Sequence, residues 1–422
     1  MEQITENEIN VQKVLVAAVD LGSYDVRMSL DELEELVDTA GGQVVARVVQ
    51  KRQSYDSASC IGAGRLEEMA ELCRQLDVDR IVFDCELTAT QIRNIENVCG
   101  VFTIDRTMLI LDIFARRATT REGRLQVEIA QNKYRLPRLT GMGADLSRLG
   151  GGIGTRGPGE SKLETDKRHI RSRIEKLSQE LEKVAQHRDM LRKRRKKDNV
   201  RVAAIVGYTN VGKSTLLNTL TQAGVLAENK LFATLETTSR AITLPDGREV
   251  MLVDTVGLIR RLPHHLVEAF KSTLEEAANA DVIIHVCDAS AEDCREQVRV
   301  TNQLLNELGC KDIPVVTALN KWDKVAFTDE GELEGEANTV KISAKNGTGI
   351  TELLLAVQNA LPRSSTRCRL LVPFDKAGLL STIRVDGKVF SEEYTEKGVL
   401  ADALVDAKVY HLVQGYKISS SS

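Results

Sequence analysis

No stretch of the 422 residues approaches the ~18 consecutive apolar positions that a membrane-spanning helix needs, which argues against a helical span. The opening residues, Met1-Glu-Gln-Ile-Thr-Glu-Asn-Glu8, are acidic and polar, so no secretory signal is visible. The eight cysteines (Cys60, Cys73, Cys85, Cys99, Cys287, Cys294, Cys310 and Cys368) never fall in a C-x-x-C pair. That argues against a metal or disulfide framework and leaves reduced, buried thiols as the expectation. These absences together make a cytoplasmic protein the expected class. What is present is 42% hydrophobic residues in a chain long enough for two or three domains, each with its own core.

The segment Gly207 to Thr215 fits G-x-x-x-x-G-K-[ST] and follows the β-branched run Val202 to Val206. In such a loop the backbone N–H groups of Gly207, Tyr208, Thr209, Asn210, Val211 and Gly212 turn inward around phosphates. Lys213 reaches the terminal phosphates, Ser214 holds Mg²⁺, and the helix through Ser214 and Thr215 directs its positive end at the anion. Asp254, Thr255, Val256 and Gly257 close the apolar strand Val250 to Val253 as D-x-x-G, with Asp254 placed for Mg²⁺ through water and the Gly257 N–H for the γ-phosphate. Asn320, Lys321, Trp322 and Asp323 fit N-K-x-D after Val315 to Leu319. The Asp323 carboxylate can accept the guanine N1–H and amine, a donor pair that adenine lacks, and leaving it buried and unpaired would penalise ATP. Ser343, Ala344 and Lys345 complete a base pocket after Val340 to Ile342. Between the first two motifs lie Phe232, Ala233, Thr234, Leu235 and Glu236. Thr234 is the favoured switch threonine and second Mg²⁺ ligand, with Thr237 and Thr238 as competing choices. The expected ligands are therefore GTP or GDP with Mg²⁺, and the expected catalytic set is Lys213, Thr234, Asp254 and Gly257.

Charge is unevenly distributed. Arg116 to Lys197 holds 23 Lys and Arg against 10 Asp and Glu, a surplus of 13 in a chain whose net charge is −4, so the remainder carries −17. The excess ends in Arg192, Lys193, Arg194, Arg195, Lys196 and Lys197 and brings few aromatics with it, which points to phosphate contacts more than base stacking. A solvated like-charge face is the plainer alternative. Ile170, Ile174, Leu177, Leu181, Val184 and Leu191 step by four and three, with Arg188 in one seam position, so a helix from Ser161 to Lys197 is predicted, capped by Ser161 and Glu164. A shorter stripe, Leu125, Ile129 and Leu136, predicts a partner helix ending at Leu136-Pro137; the two would form a projecting hairpin. Its tip, Gly150 to Glu160, spells G-x-G-x-x-G but has no preceding strand, so a dinucleotide site is rejected. Either the glycines serve chain reversal alone, or they let Arg148 and Arg156 enter a narrow RNA-lined channel.

Before the hairpin, strands Lys13 to Val19, Val44 to Val49, Arg80 to Phe83 and Val101 to Ile104 alternate with helices Leu30 to Thr39, Leu66 to Leu76 and Thr88 to Val98, implying a parallel sheet. Capping boxes are expected at Ser29 with Glu32 and at Thr88 with Gln91. Ile61-Gly-Ala-Gly-Arg65 reads as a tight turn or a second anion site. After the nucleotide motifs, strands Arg369 to Val372, Val389 to Tyr394 and Val399 to Leu404 surround a helix, Lys376 to Val385. The expected architecture is α/β throughout: an N-terminal parallel α/β domain (1–106), a basic helical arm (107–198), a P-loop GTPase domain (199–363) and a small α+β cap (366–418).

With those residues in view, the chain resembles the HflX GTPases. The resemblance rests on Ile61-Gly-Ala-Gly64, Leu125-Gln-Val-Glu128, Gly150 to Glu160 with Leu163-Glu-Thr-Asp166, the Gly207 loop, Phe232-Ala-Thr-Leu235 and Asp254-Thr-Val-Gly257. It implies a GTPase that binds the large ribosomal subunit, reaches ribosomal RNA near the peptidyl-transferase region with its basic arm, and rescues stalled ribosomes under stress by splitting them. It also implies peripheral association with ribosomes or membrane; a monomer is expected when the chain is free. Asn210 matches a residue that in similar GTPases helps hold a monovalent cation, so K⁺ activation is an expectation. Leu258 stands where many GTPases place a water-orienting glutamine and where this family usually has phenylalanine, which implies slow intrinsic hydrolysis. Glu236-Thr237 replaces the family's more usual Asp-Pro. Two other readings remain open: an ATP-driven RNA-remodelling factor, and a ribosome-silencing factor in which hydrolysis only resets binding.

Overall fold

Three β-sheets organise the chain in the computed structural model, which describes residues 11–139, 158–197, 200–221, 231–232, 238–261, 276–307, 309–325, 338–361 and 365–418. The first sheet is wholly parallel, ordered β2-β1-β3-β4, from β1 (Gln12–Asp20), β2 (Gly42–Lys51), β3 (Arg80–Phe83) and β4 (Phe102–Asp105). Helices α1 (Val26–Thr39), α2 (Ala63–Leu76), α3 (Ala89–Cys99) and α4 (Arg106–Arg117) connect or follow the strands. Leu15, Ala17 and Val19 point into one apolar cluster of this unit and Val14, Val16 and Ala18 into the other. Alternation at period two thus feeds two cores, as a parallel sheet covered on both faces requires.

Local signals decide where the helices begin, and one differs from expectation. Thr88 and Gln91 form the reciprocal capping box at α3. Ser29 does not cap α1: Asp25 does, accepting from the N–H groups of Arg27 and Met28, so α1 starts earlier, at Val26. Ser29 lies inside the helix and donates its hydroxyl to Asp84 Oδ2 at 2.6 Å. A carboxylate four residues earlier competes successfully for the same orphan donors. Helix α4, rich in leucine and isoleucine, has no counterpart among the expected elements; it packs on α1 and β4.

Helices α5 (Arg121–Arg138) and α6 (Pro158–Lys197) pair along Leu125, Ile129 and Leu177, with Ile174, Leu181 and Val184 beside them. Arg188 fills its seam position by donating to Glu122 Oε1 at 2.5 Å. α6 begins at Pro158, three residues before Ser161, because proline at the first helical position loses no hydrogen bond. α5 in turn runs through Pro137 to Arg138. Its end is fastened to the first unit: Arg138 donates to the Leu87 carbonyl at 2.9 Å and to Asp105 Oδ2 at 3.1 Å, with its guanidinium over the Tyr134 ring. Val127, Ala130 and Tyr134 of α5 are likewise buried in the main core. The hairpin is therefore docked along α5. The Gly-rich connection, with Arg148 and Arg156, lies outside the described residues.

The second sheet is ordered β10-β9-β8-β5-β7-β6, parallel except for β6. It comprises β5 (Arg201–Val206), β6 (Thr238–Thr243), β7 (Glu249–Asp254), β8 (Val282–Asp288), β9 (Val315–Asn320) and β10 (Thr339–Lys341), with α7 (Lys213–Thr221), α8 (Cys294–Glu307) and α9 (Ile350–Ala360). The third, antiparallel and ordered β11-β13-β12, is built from β11 (Ser365–Val372), β12 (Lys388–Thr395) and β13 (Gly398–Asp406), covered by α10 (Gly378–Asp386) and α11 (Ala407–Val413).

Candidate nucleotide site and its contacts with the N-terminal unit

Four sequence motifs from distant parts of the chain meet at the carboxyl ends of β5, β7, β9 and β10. In an open parallel sheet this edge is where ligands bind. Strand β5 is buried from Val202 onward and delivers Gly207 to Gly212 directly into α7. Gly212 has φ +95°, and a Cβ there would lie 2.4 Å from Asn320 Nδ2, so only glycine allows this approach. The loop is zipped to the segment after β7: Thr209 N donates to the Leu258 carbonyl at 2.7 Å and Leu258 N to the Gly207 carbonyl at 3.0 Å. Gly257 lies against the loop, where an added Cβ would be 2.9 Å from Thr209 Cα and 3.1 Å from Lys213 Nζ.

Lys213 is buried and donates to the carbonyls of Tyr208 at 2.6 Å and Gly207 at 3.1 Å. Burial pushes its ammonium down to about 8, against the opposing pull of Asp254. The Ser214 hydroxyl donates to Asp254 Oδ2 at 3.1 Å. Thr255 turns away and donates to the Ile205 carbonyl at 2.7 Å; Val256 and Leu258 are buried in the core. Beneath the loop lies His285 of β8, opposite Val206 in register, its imidazole pushed down to about 4 by burial and then by Lys213. The only sequence trace of His285 is a polar residue inside the run Val282 to Cys287.

Asn320 joins the base motif to the phosphate motif. Its Nδ2 donates to the Val211 carbonyl at 2.7 Å and its Oδ1 accepts from Ala344 N at 2.9 Å. Lys321, in a left-handed backbone conformation, pairs with Asp288 at 2.6 Å, and Trp322 carries the Lys341 ammonium over its ring. The buried Ser343 donates to Asp323 Oδ1 at 2.6 Å and holds that carboxyl below its usual range. Asp323 itself is exposed, as is Lys345. One carboxylate oxygen is hydrogen-bonded and the group is open to solvent, so a bound base would itself supply the desolvation.

The expected switch residues divide. Thr234, with Ala233, Leu235, Glu236 and Thr237, lies outside the described residues. Thr238 opens β6 opposite Asp254. Phe232, expected at the nucleotide, has its ring buried edge-on against Phe114 of α4, with centroids 4.7 Å apart. Leu231 N donates to Thr39 Oγ1 at 3.2 Å. On the other side the residues after Leu258 are also held by the N-terminal unit. Arg261 Nη1 donates to the buried Asp84 Oδ2 at 3.0 Å and stacks on Tyr24, while Arg106 donates to Asp84 Oδ1 at 2.8 Å and to the Arg260 carbonyl at 3.1 Å. Arg260 N donates to Glu32 Oε1 at 3.2 Å, and its side chain pairs with Asp293. No periodicity or motif announces the contacts of these two segments with the N-terminal unit, because the partners lie between 118 and 237 positions apart.

The sheet order and the loops at its edge define a P-loop GTPase domain. Comparison with known proteins agrees: a model described as 50S ribosome-binding GTPase matches residues 202–321, GTP-binding GTPase N-terminal matches 27–115, and GTP-binding GTPase Middle Region matches 117–195. A GTPase HflX of Caldanaerobacter subterraneus subsp. tengcongensis is 45% identical over 99% of this chain and 96% of its own. One of Lacrimispora saccharolytica is 47% identical over 97% of each. A solved complex of SsGBP with GDP is 26% identical, covering 83% of this chain and 98% of that one, at a TM-score of 0.49. The chain belongs to the HflX GTPases, a GTP-binding, ribosome-associated family, and it is a GTPase. No described helix is long and apolar enough to cross a membrane.

Proposed function

We propose that the protein hydrolyses GTP slowly on its own and faster on the large ribosomal subunit, using the cycle to split or rescue stalled ribosomes under stress. The observation that carries the GTP site is the joining of Asn320 to Val211, which ties a base-reading loop to a phosphate loop. The Gly207 to Gly212 backbone and Lys213 would cradle the phosphates, and Asp323 would select guanine. Ser214 and Asp254 are hard oxygen donors already in contact, which suits Mg²⁺. Thr234 would join Ser214 as the second direct ligand. When bound, the ion would neutralise charge developing on the phosphates. Asn210 would stand beside a K⁺ ion.

Slow intrinsic turnover follows from Leu258, an apolar side chain buried in the core that cannot orient a water molecule. The missing group would come from the ribosome or from backbone. The basic surplus of Arg116 to Lys197 supports ribosomal RNA as the partner, with Arg148, Arg156 and Arg192 to Lys197 as its contacts. The division of the chain into domains at 1–106, 107–198, 199–363 and 366–418 belongs to the same proposal, as do a monomeric free state and a cytoplasmic location.

The test is GTP turnover with and without isolated large subunits, expected to rise by more than about tenfold. Equal rates would overturn the stimulated mechanism. Sucrose-gradient profiles of intact ribosomes with GTP, a non-hydrolysable analogue and ATP then separate the readings. Splitting with the analogue assigns the force to binding, splitting only with ATP selects an ATP-driven remodelling factor, and binding without splitting selects a silencing factor.

A further inference from the structure

Four of the eight cysteines share one apolar cluster of the N-terminal unit, and Cys60 Sγ lies 3.4 Å from Cys85 Sγ. Neither sits in a helix or a named strand. Cys60 closes the turn after β2, exchanging both backbone hydrogen bonds with Asp56, and has a left-handed backbone at φ +67°, costly for a residue with a side chain. Cys85 follows β3 and is the more accessible of the two, at 7% exposure against 1%. All eight cysteines are free thiols. The Cys85 hydrogen bond holds the Cys60 thiol below its ordinary range, while Cys85 is raised.

We propose that Cys60 and Cys85 are an oxidisable dithiol, and that its closure to a disulfide is transmitted through Asp84 to the arginines after the Asp254 to Gly257 loop. A disulfide has its sulfurs at ~2.05 Å, so closure asks for about 1.4 Å of approach shared between two loop segments. The other pair in the cluster, Cys73 and Cys99, lies on α2 and α3, where helical hydrogen bonds resist such a shift. The oxidant is a hydroperoxide, with hydrogen peroxide as the simplest. The thiolate of one cysteine of the pair, Cys85 being the more accessible, attacks one peroxide oxygen, the O–O bond breaks, and the departing hydroxide takes the thiol proton as water. The sulfur of the other cysteine then attacks the resulting sulfenic sulfur, the S–O bond breaks, and a second water leaves with the second thiol's proton. Two thiols are oxidised by two electrons and the peroxide is reduced by two.

The coupling is covalent at one end. Cys85 is bonded to Asp84, whose two oxygens hold Arg106, Arg261, Ser29 and Tyr24. Drawing Cys85 toward Cys60 displaces the carboxylate that fixes Arg261. This second step rests on the reading of 254–257 as a nucleotide-sensing loop; the dithiol itself does not.

The full chain is treated with hydrogen peroxide, residual thiols are blocked with N-ethylmaleimide, and non-reduced peptides are mapped by mass spectrometry. A peptide joining Cys60 to Cys85 is expected, reversed by dithiothreitol and absent in Cys60→Ser, with Cys60→Ala as a second variant and thermal melting as the folding check. Sulfenic or sulfinic acid without a link, or a link confined to Cys73 and Cys99, overturns the dithiol. Tryptic cleavage between Arg260 and Arg261 should start on the order of fivefold faster in the oxidised chain and not in oxidised Cys60→Ser. Equal rates overturn the coupling. Neither readout requires GTP hydrolysis, so a failure of the nucleotide reading is seen separately.

Discussion

The Asn320 side chain donates to the Val211 carbonyl at 2.7 Å while accepting from Ala344 N, so one buried amide ties the phosphate loop to two base-side loops. Asn320→Ala removes both bonds and leaves a buried carbonyl and a buried N–H without them. The expected cost is about 2 kcal/mol of stability together with a loss of GTP affinity of at least about tenfold. Urea unfolding and titration with a fluorescent GTP analogue measure the two. A variant that keeps parental affinity would show that the loops hold their positions without this bridge.

Gly257 has no room for a side chain. The added carbon of Gly257→Ala would meet Thr209 Cγ2 at 2.6 Å and Thr209 Cα at 2.9 Å. One of the two segments must move, and the N–H expected at the γ-phosphate moves with it. Turnover should fall on the order of a hundredfold while GDP binding stays within about threefold, because GDP lacks the phosphate concerned. Equal losses for both nucleotides would place Gly257 in structure alone.

His285 makes stability depend on pH in a stated direction. Its folded value, about 4, lies below its ordinary 6.5, so the unfolded chain takes up a proton that the native chain refuses. The stability associated with neutral His285 is complete above the unfolded value and is lost as pH falls toward the folded one. Between neutrality and about pH 4.5 the parent should lose about 2 kcal/mol more than His285→Gln. Urea unfolding at the two pH values measures the difference, and parallel losses would remove His285 as the cause.

The basic end of α6 should govern the salt dependence of ribosome binding. Replacing Arg192, Lys193, Arg194, Arg195, Lys196 and Lys197 with glutamine should weaken large-subunit binding. It should also flatten the dependence of log K on log salt by up to about four units, in proportion to the number of phosphates these side chains neutralise. Filter binding across a salt series reads this directly. An unchanged slope would mean that these side chains face solvent in the complex.

The nucleotide motifs are legible in the sequence because each is a short run in which backbone geometry and side-chain chemistry are set locally, as at Gly212 and Lys213. The heptad seam of α6 is legible for the same reason, down to Arg188, whose partner Glu122 lies across the hairpin. The α1 cap is ambiguous in the sequence because Asp25 and Ser29 both suit it, and only competition in the folded chain chooses Asp25. Phe232 sits beside the switch segment in the chain, yet its ring is taken by Phe114, a residue 118 positions earlier.

By itself, the sequence determined the ligand class, the order of the parallel units and the concentration of positive charge, since all three depend on residues close together in the chain. Tertiary structure alone decided that Leu231 and Phe232 on one side and Arg260 and Arg261 on the other rest on elements that precede α5, through Phe114 and Thr39 and through Asp84 and Glu32. It also brought Cys60 to Cys85 and His285 beneath Lys213. Those relations depend on burial and on contacts between distant segments, and desolvation acts only once the chain has closed around them.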